Sequence, residues 1–164
     1  MKRIVYVPDF DQLESQYVGC RLCEMMCSLS RTGACNPSLS RVRVVSWEPS
    51  NDVPVLCHQC ADAPCRSSCP VGAIIPGEAG AIYVSQDECI GCGECVSACP
   101  FGAMGFDSSS MKAFKCDLCG GKPACVEFCP SQVLKETTTM ALAFELRLAG
   151  ARQIQEAYSL SRAK

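Results

Sequence analysis

Short apolar stretches separated by polar loops make up most of the chain, and only its C-terminal part changes to a longer period. Residues 2–7, KRIVYV, are rich in β-branched and aromatic residues and predict a strand, with a polar loop over 8–16. Residues 41–47, RVRVVSW, alternate and predict a second strand. Arg41 and Arg43 belong on its solvated face, with a docking role as the alternative, and Trp47 reads as packing. Residues 49–54, bounded by prolines, predict a loop. Farther on, the apolar stretch VGAII (71–75), the turn PGEAG (76–80) and the strand AIYVS (81–85) follow one another. The stretch FGAMGF (101–106) and a serine turn at 108–110 come next.

From Ser131 onward there is neither cysteine nor proline, and good helix formers dominate. Residues 140–148, MALAFELRL, mimic strand alternation, but length and propensity favour a helix. On it Met140, Phe144, Leu148, Ala151 and Tyr158 share one face, with Leu142, Leu146 and Leu160 nearly opposite. A helix apolar on two sides needs cover on two sides. One face can lie on the body of the protein and the other on a second subunit or another copy of this chain. The alternative is a flap over the protein's own body.

The hydrophobic share is 48%, but sixteen of those residues are cysteines. Without them it falls to about 38%, thin for a conventional core. The cysteines are therefore what must hold the fold. Residues 89–100, CIGCGECVSACP, place Cys89, Cys92, Cys95 and Cys99 before Pro100, a spacing that resembles the bacterial ferredoxin run. Two further runs have the same form with a wider second gap: Cys57, Cys60, Cys65, Cys69, Pro70, and Cys116, Cys119, Cys125, Cys129, Pro130. A first run, Cys20, Cys23, Cys27, aligns with the last three positions. Its first position falls on Tyr17, and Ser28 stands where the others have proline. One unit, a cysteine loop followed by an apolar cover, thus repeats four times. Ile90, Val71, Ile74 and Phe101 read as the shell that excludes water from it.

Tight C-x2-C groups are metal spacing rather than a disulfide framework. Zinc uses such pairs but does not explain four runs, three of them ending in C-P. In two-cluster chains of this type the fourth cysteine of each run serves the other run's cluster. Applied to adjacent runs two and three, Cys57, Cys60, Cys65 and Cys99 hold one cluster, and Cys89, Cys92, Cys95 and Cys69 a second. Runs one and four then pair. Cys116, Cys119, Cys125 and Cys27 hold a third cluster, and Cys20, Cys23 and Cys129 part of a fourth. Cys35, the only spare cysteine, is the expected replacement at Tyr17. A three-iron cluster and ligation by the Tyr17 phenolate are the alternatives. His58, between Cys57 and Cys60, reads as sulfur-adjacent or solvent-facing rather than as a ligand.

Four [4Fe-4S] clusters pass single electrons. No nucleophile–base constellation, phosphate loop or dinucleotide fingerprint accompanies them, so the chain is expected to move electrons for another subunit's reaction. A net charge of −2 favours neither nucleic acid nor an anionic membrane. No signal peptide or spanning stretch is visible, and the cysteine usage suggests a reducing cytoplasm.

The paired runs, above all CHQCADAPCRSSCPVGAI and KCDLCGGKPACVEFCP, resemble the four-cluster ferredoxin-like (polyferredoxin) subunits of molybdenum and tungsten oxidoreductases over residues 17–134. CRLCEMMCSLSRTGACNPSLSRVRV at 20–44 is similar to the small iron–sulfur subunit of bacterial tungsten aldehyde oxidoreductases and to the related subunit beside benzoyl-CoA reductase. The resemblance implies an α+β, tandem bacterial-ferredoxin-like fold. It also implies a tungsten-pterin catalytic partner and a flavin/NAD subunit completing the complex. Formate dehydrogenase and hydrogenase complexes are the rival settings. The expected layout is a four-cluster domain over 1–134 and a long C-terminal helical docking extension over 135–164, with self-association through that extension as a further role.

Overall fold

The computed structural model describes residues 2–6, 19–47, 51–77 and 80–162. Among these, eight strands form four separate antiparallel ribbons of two strands each. β1 (Lys2–Tyr6) pairs with β8 (Leu134–Thr138), joining the two ends of the cysteine-bearing region, in a register from Lys2 opposite Thr138 to Tyr6 opposite Leu134. β2 (Arg43–Trp47) pairs with β3 (Asn51–Val55). β4 (Ile74–Pro76) pairs with β5 (Ile82–Val84), and β6 (Gly105–Asp107) with β7 (Lys112–Phe114). Isolated two-stranded ribbons are marginal in water, so the fold draws its stability from what lies between them.

The helices inside this body are short. α1 (Leu22–Thr32) carries Cys23 and Cys27, and α2 (Pro64–Ser67), α3 (Glu94–Ser97) and α4 (Ala124–Glu127) each carry the third cysteine of a run. Two apolar clusters form. One unites runs one and four through Cys23, Cys27, Cys125 and Cys129, packed with Val44 and Leu134. The other unites runs two and three through Cys65 and Cys95, packed with Ile74, Ile82, Val84 and Met104. Cysteines sit inside both cores, as the low apolar content required.

Three sequence expectations change. Residues 51–55 are strand rather than loop, with Pro54 opposite Val44. A two-stranded ribbon leaves one edge of each strand unpaired, where a proline can sit without costing a ladder bond. Residues 135–138 belong to β8 and so to the body. α5 (Thr139–Arg162) starts directly after it, with the Thr138 hydroxyl accepting from the Ala141 N–H at 3.2 Å. Finally, most of the large apolar residues described on α5 are uncovered, Leu142 being half-buried. Met140 and Leu146, from opposite faces, are 82% and 63% exposed, and Phe144, Leu148, Ile154 and Tyr158 are exposed as well. The Trp47 and Leu160 side chains lie outside those described.

Candidate iron–sulfur centres

Each cysteine run bends in the same way. The residue before the second cysteine has a left-handed backbone in all four: Gly19 (φ 63), Gln59 (φ 47), Gly91 (φ 74) and Leu118 (φ 57). That conformation turns successive N–H groups into one concavity, a site for an anionic group. Tyr17, which the alignment sets opposite Cys57, Cys89 and Cys116, lies outside the described residues. A second turn repeats after each C-P pair. The N–H groups of Gly72, Gly102 and Gln132 donate to the carbonyls of Cys69, Cys99 and Cys129 at 3.3, 3.2 and 3.2 Å. Sequence reading missed Gln59, Leu118 and Gln132 as left-handed positions, because only glycine advertises that conformation.

These turns gather cysteines from different runs around three cavities. Cys89, Cys92 and Cys95 line one of about 310 Å3 together with Cys69. Cys57, Cys60, Cys65 and Cys99 line a second of about 350 Å3. Cys116, Cys119, Cys125 and Cys27 line a third of about 350 Å3, to which Cys57 also contributes. Cys23 and Cys129 are buried in the core shared by runs one and four, while Cys20 is exposed.

Cys35 is not brought to that group. It is exposed, beyond the C-terminal end of α1, and the N–H of Asn36 donates to Ser28 Oγ at 3.1 Å. The chain then runs back along α1, so that the Val44 N–H reaches Glu24 and Ser46 reaches Arg21. The segment that arrives at the Cys20 end of α1 is therefore β2, and Cys35 stays at the opposite end.

The donor set, four cysteines around each cavity, fits an iron–sulfur cluster. Among the described residues no three Cys, His, Asp or Glu side chains converge to hold one metal ion, which a zinc site requires. Four cysteines spaced around a cavity suit a group several atoms across. Backbone N–H groups donate to the sulfurs: Arg41 to Cys27 and Ala73 to Cys69 at 3.3 Å, and Leu118 to Cys116 at 3.4 Å. Burial pushes the Cys116 thiol up to about 12 and Cys125 higher still, and it also raises Cys65 and Cys95. A buried thiol with so high a pKa keeps its proton until a metal displaces it to solvent.

The apolar shell is one-sided. Val71, Ile74 and Ile90 line the first cavity and Phe101 the second, but Ile90 is 64% exposed and Val71 and Phe101 present their outer sides to solvent. His58 stacks on Phe101 with ring centroids 4.1 Å apart, and burial followed by the Arg3 charge lowers its pKa. Arg41 is not a solvated-face residue. Its guanidinium lies 5.5 Å from the Phe114 ring, donates to the Lys115 carbonyl at 3.1 Å and lines the third cavity. Burial, then the Arg31 charge, lowers its pKa. Arg43 instead donates to the carbonyls of Pro37 and Ser38 at 2.7 and 2.5 Å.

Repeated cysteine loops around shared cavities define an iron–sulfur protein. Residues 50–139, more than half of the chain, match the family described as 4Fe-4S dicluster domain, and the chain belongs to that family. A polyferredoxin-like subunit of an aliphatic sulfonate oxidoreductase from Pyrococcus furiosus is 45% identical over 76 residues, 46% of this chain and 44% of that one. The electron transport protein HydN of Escherichia coli is 38% identical over 85 residues, 48% of this chain and 47% of that protein. The match thus spans about half the length of these curated relatives. Among solved structures, the active-site complex BamBC of benzoyl coenzyme A reductase aligns with a TM-score of 0.46 at 25% identity, covering 100% of this chain and 98% of that one. Among the described residues no helix is long and apolar enough to cross a membrane.

Proposed function

We propose that the chain is an electron-transfer subunit that carries four [4Fe-4S]-type clusters and relays single electrons between the catalytic subunit of an oxidoreductase and an acceptor. The observation that carries this reading is the set of three four-cysteine cavities, each lined by three cysteines of one run and the last of another. Cys57, Cys60, Cys65 and Cys99 hold one cluster, and Cys89, Cys92, Cys95 and Cys69 another. Cys116, Cys119, Cys125 and Cys27 hold a third. Cys20, Cys23 and Cys129 supply three ligands of the fourth. When bound, each cluster takes up and releases one electron. The protein's part is to bury the sulfurs, donate N–H groups to them and bring neighbouring sites together. Cys57 lines both the run-two and the run-four cavities and so adjoins the two sites.

The names of the relatives, one a subunit of a sulfonate oxidoreductase and one an electron transport protein, support a partnered carrier. The motif resemblance favours a tungsten-pterin aldehyde oxidoreductase subunit as the catalytic partner, with a flavin/NAD subunit as acceptor. The exposed apolar residues of α5 supply a surface for that partner or for another copy of the chain. Anaerobic purification from the native host, with the associated subunits identified, tests the assignment. About sixteen irons per chain and a co-purifying tungsten subunit support it. Aldehyde-dependent dye reduction by the chain alone overturns the carrier reading. A Cys35→Ser chain should keep all of its iron, and loss of a cluster would return Cys35 to the ligand set. Deleting residues 139–162 separates partner docking from self-association by size-exclusion.

A further inference from the structure

Lys115 is the most buried cation described, with 3% of its surface exposed. Its ammonium donates to the Ile82 carbonyl at 2.9 Å and to Gln59 Oε1 at 3.3 Å. Gln59, which is fully buried, is itself held on both sides. Its Oε1 accepts from the Ile82 N–H at 3.0 Å, and its Nε2 donates to the Cys116 carbonyl at 2.6 Å. Among the described residues no carboxylate forms an ion pair with Lys115. A buried charge with only neutral acceptors is costly unless an opposite charge faces it. Lys115 lines the cavity of Cys57, Cys60, Cys65 and Cys99. What balances this ammonium is therefore what the cavity holds. Four thiolates give a bound cluster a net negative charge that grows by one on reduction.

Taking the proposed cluster-bearing role as given, we propose that Lys115, clamped by Gln59, raises the reduction potential of the cluster held by Cys57, Cys60, Cys65 and Cys99. A cation fixed in a poorly solvated site stabilises the more negative, reduced state over the oxidised one. The placement matters for flow. This cavity shares an apolar core with the cavity of Cys89, Cys92, Cys95 and Cys69, and it adjoins that of run four through Cys57. Lys115 is a positioning residue for charge, not a ligand.

The test is an EPR-monitored redox titration of the full-length, cluster-loaded protein, with the signal of this site identified as the one altered by Cys60→Ser. Lys115→Met should keep the wild-type iron content and lower that one potential by a tenfold or greater shift in the reduction equilibrium, about 59 mV for one electron. Lys115→Arg should restore most of the shift. If Lys115→Met loses iron, Lys115→Gln and Gln59→Glu carry the same test, since each makes the site less positive. An unmoved or raised potential in an iron-replete variant overturns the inference. So does failure of all three variants to load, which would make Lys115 part of the folding core only. A wild-type chain without cluster signals refutes the underlying proposal instead, so the two failures are distinguishable.

Discussion

Replacing Gly91 by alanine tests whether the loop around Cys89 and Cys92 is as closely confined as the structure implies. A Cβ at Gly91 would lie 2.0 Å from the carbonyl oxygen of Met111, with φ at +74. Restoring an ordinary contact requires a displacement of about 1 Å. Neither side yields cheaply, because Met111 closes the turn between β6 and β7 with a left-handed backbone of its own. The left-handed backbone costs an alanine about 1–2 kcal/mol, and the displaced loop adds a comparable amount, giving about 3 kcal/mol in all. For a chain of this size that corresponds to a fall in melting temperature of about 6–12 °C. The control is Gly93→Ala, where φ is +79 but nothing lies within 4 Å, so only the backbone term remains. Iron per chain and thermal midpoint are measured on anaerobically purified proteins. Gly91→Ala should lose the cluster of Cys89, Cys92, Cys95 and Cys69, about four irons, and melt below Gly93→Ala. A Gly91→Ala protein with full iron and a midpoint equal to that of Gly93→Ala would refute the reasoning.

Glu24 is 4% exposed and accepts from the Val44 N–H at 2.9 Å. Glu24→Ala leaves that donor unpaired and should cost about 2 kcal/mol in thermal or denaturant unfolding, and Glu24→Gln clearly less. Cys99→Ala should remove the cluster centred on run two and leave that of run three in place, as read from the surviving spectral signals. Loss of the run-three cluster instead would break the proposed exchange of ligands between runs. Stripping the iron under reducing conditions should abolish most of the far-UV circular dichroism of the body, because its ribbons have two strands each and its cores are built from cysteines.

The cysteine spacing alone carried the number of runs, the expected pairing of one with four and two with three, and the unusual position at Tyr17. Such features are local, since a ligand loop of a few residues has few ways to fold around a cluster. The apolar covers and the helix-forming C-terminal stretch were legible for the same reason. What the spacing could not convey depended on contacts far apart in the chain. β1 finds β8 across more than a hundred residues, and that pairing, not local propensity, makes strand of residues 135–138. Pro54 is tolerated in a strand only because its ribbon has a free edge. Arg41 looked like a surface residue from its alternation, yet Phe114 and the Lys115 carbonyl draw it against the third cavity. Cys35 matched the vacancy by count, and only the tertiary structure shows it exposed beyond the C-terminal end of α1. The buried Lys115 and Gln59 had no sequence signal at all, since a lysine beside a cysteine reads as exposed until the surrounding strands enclose it. Local spacing therefore determined which atoms can bind metal. The tertiary structure decided which of them meet, and which charges are shut in with them.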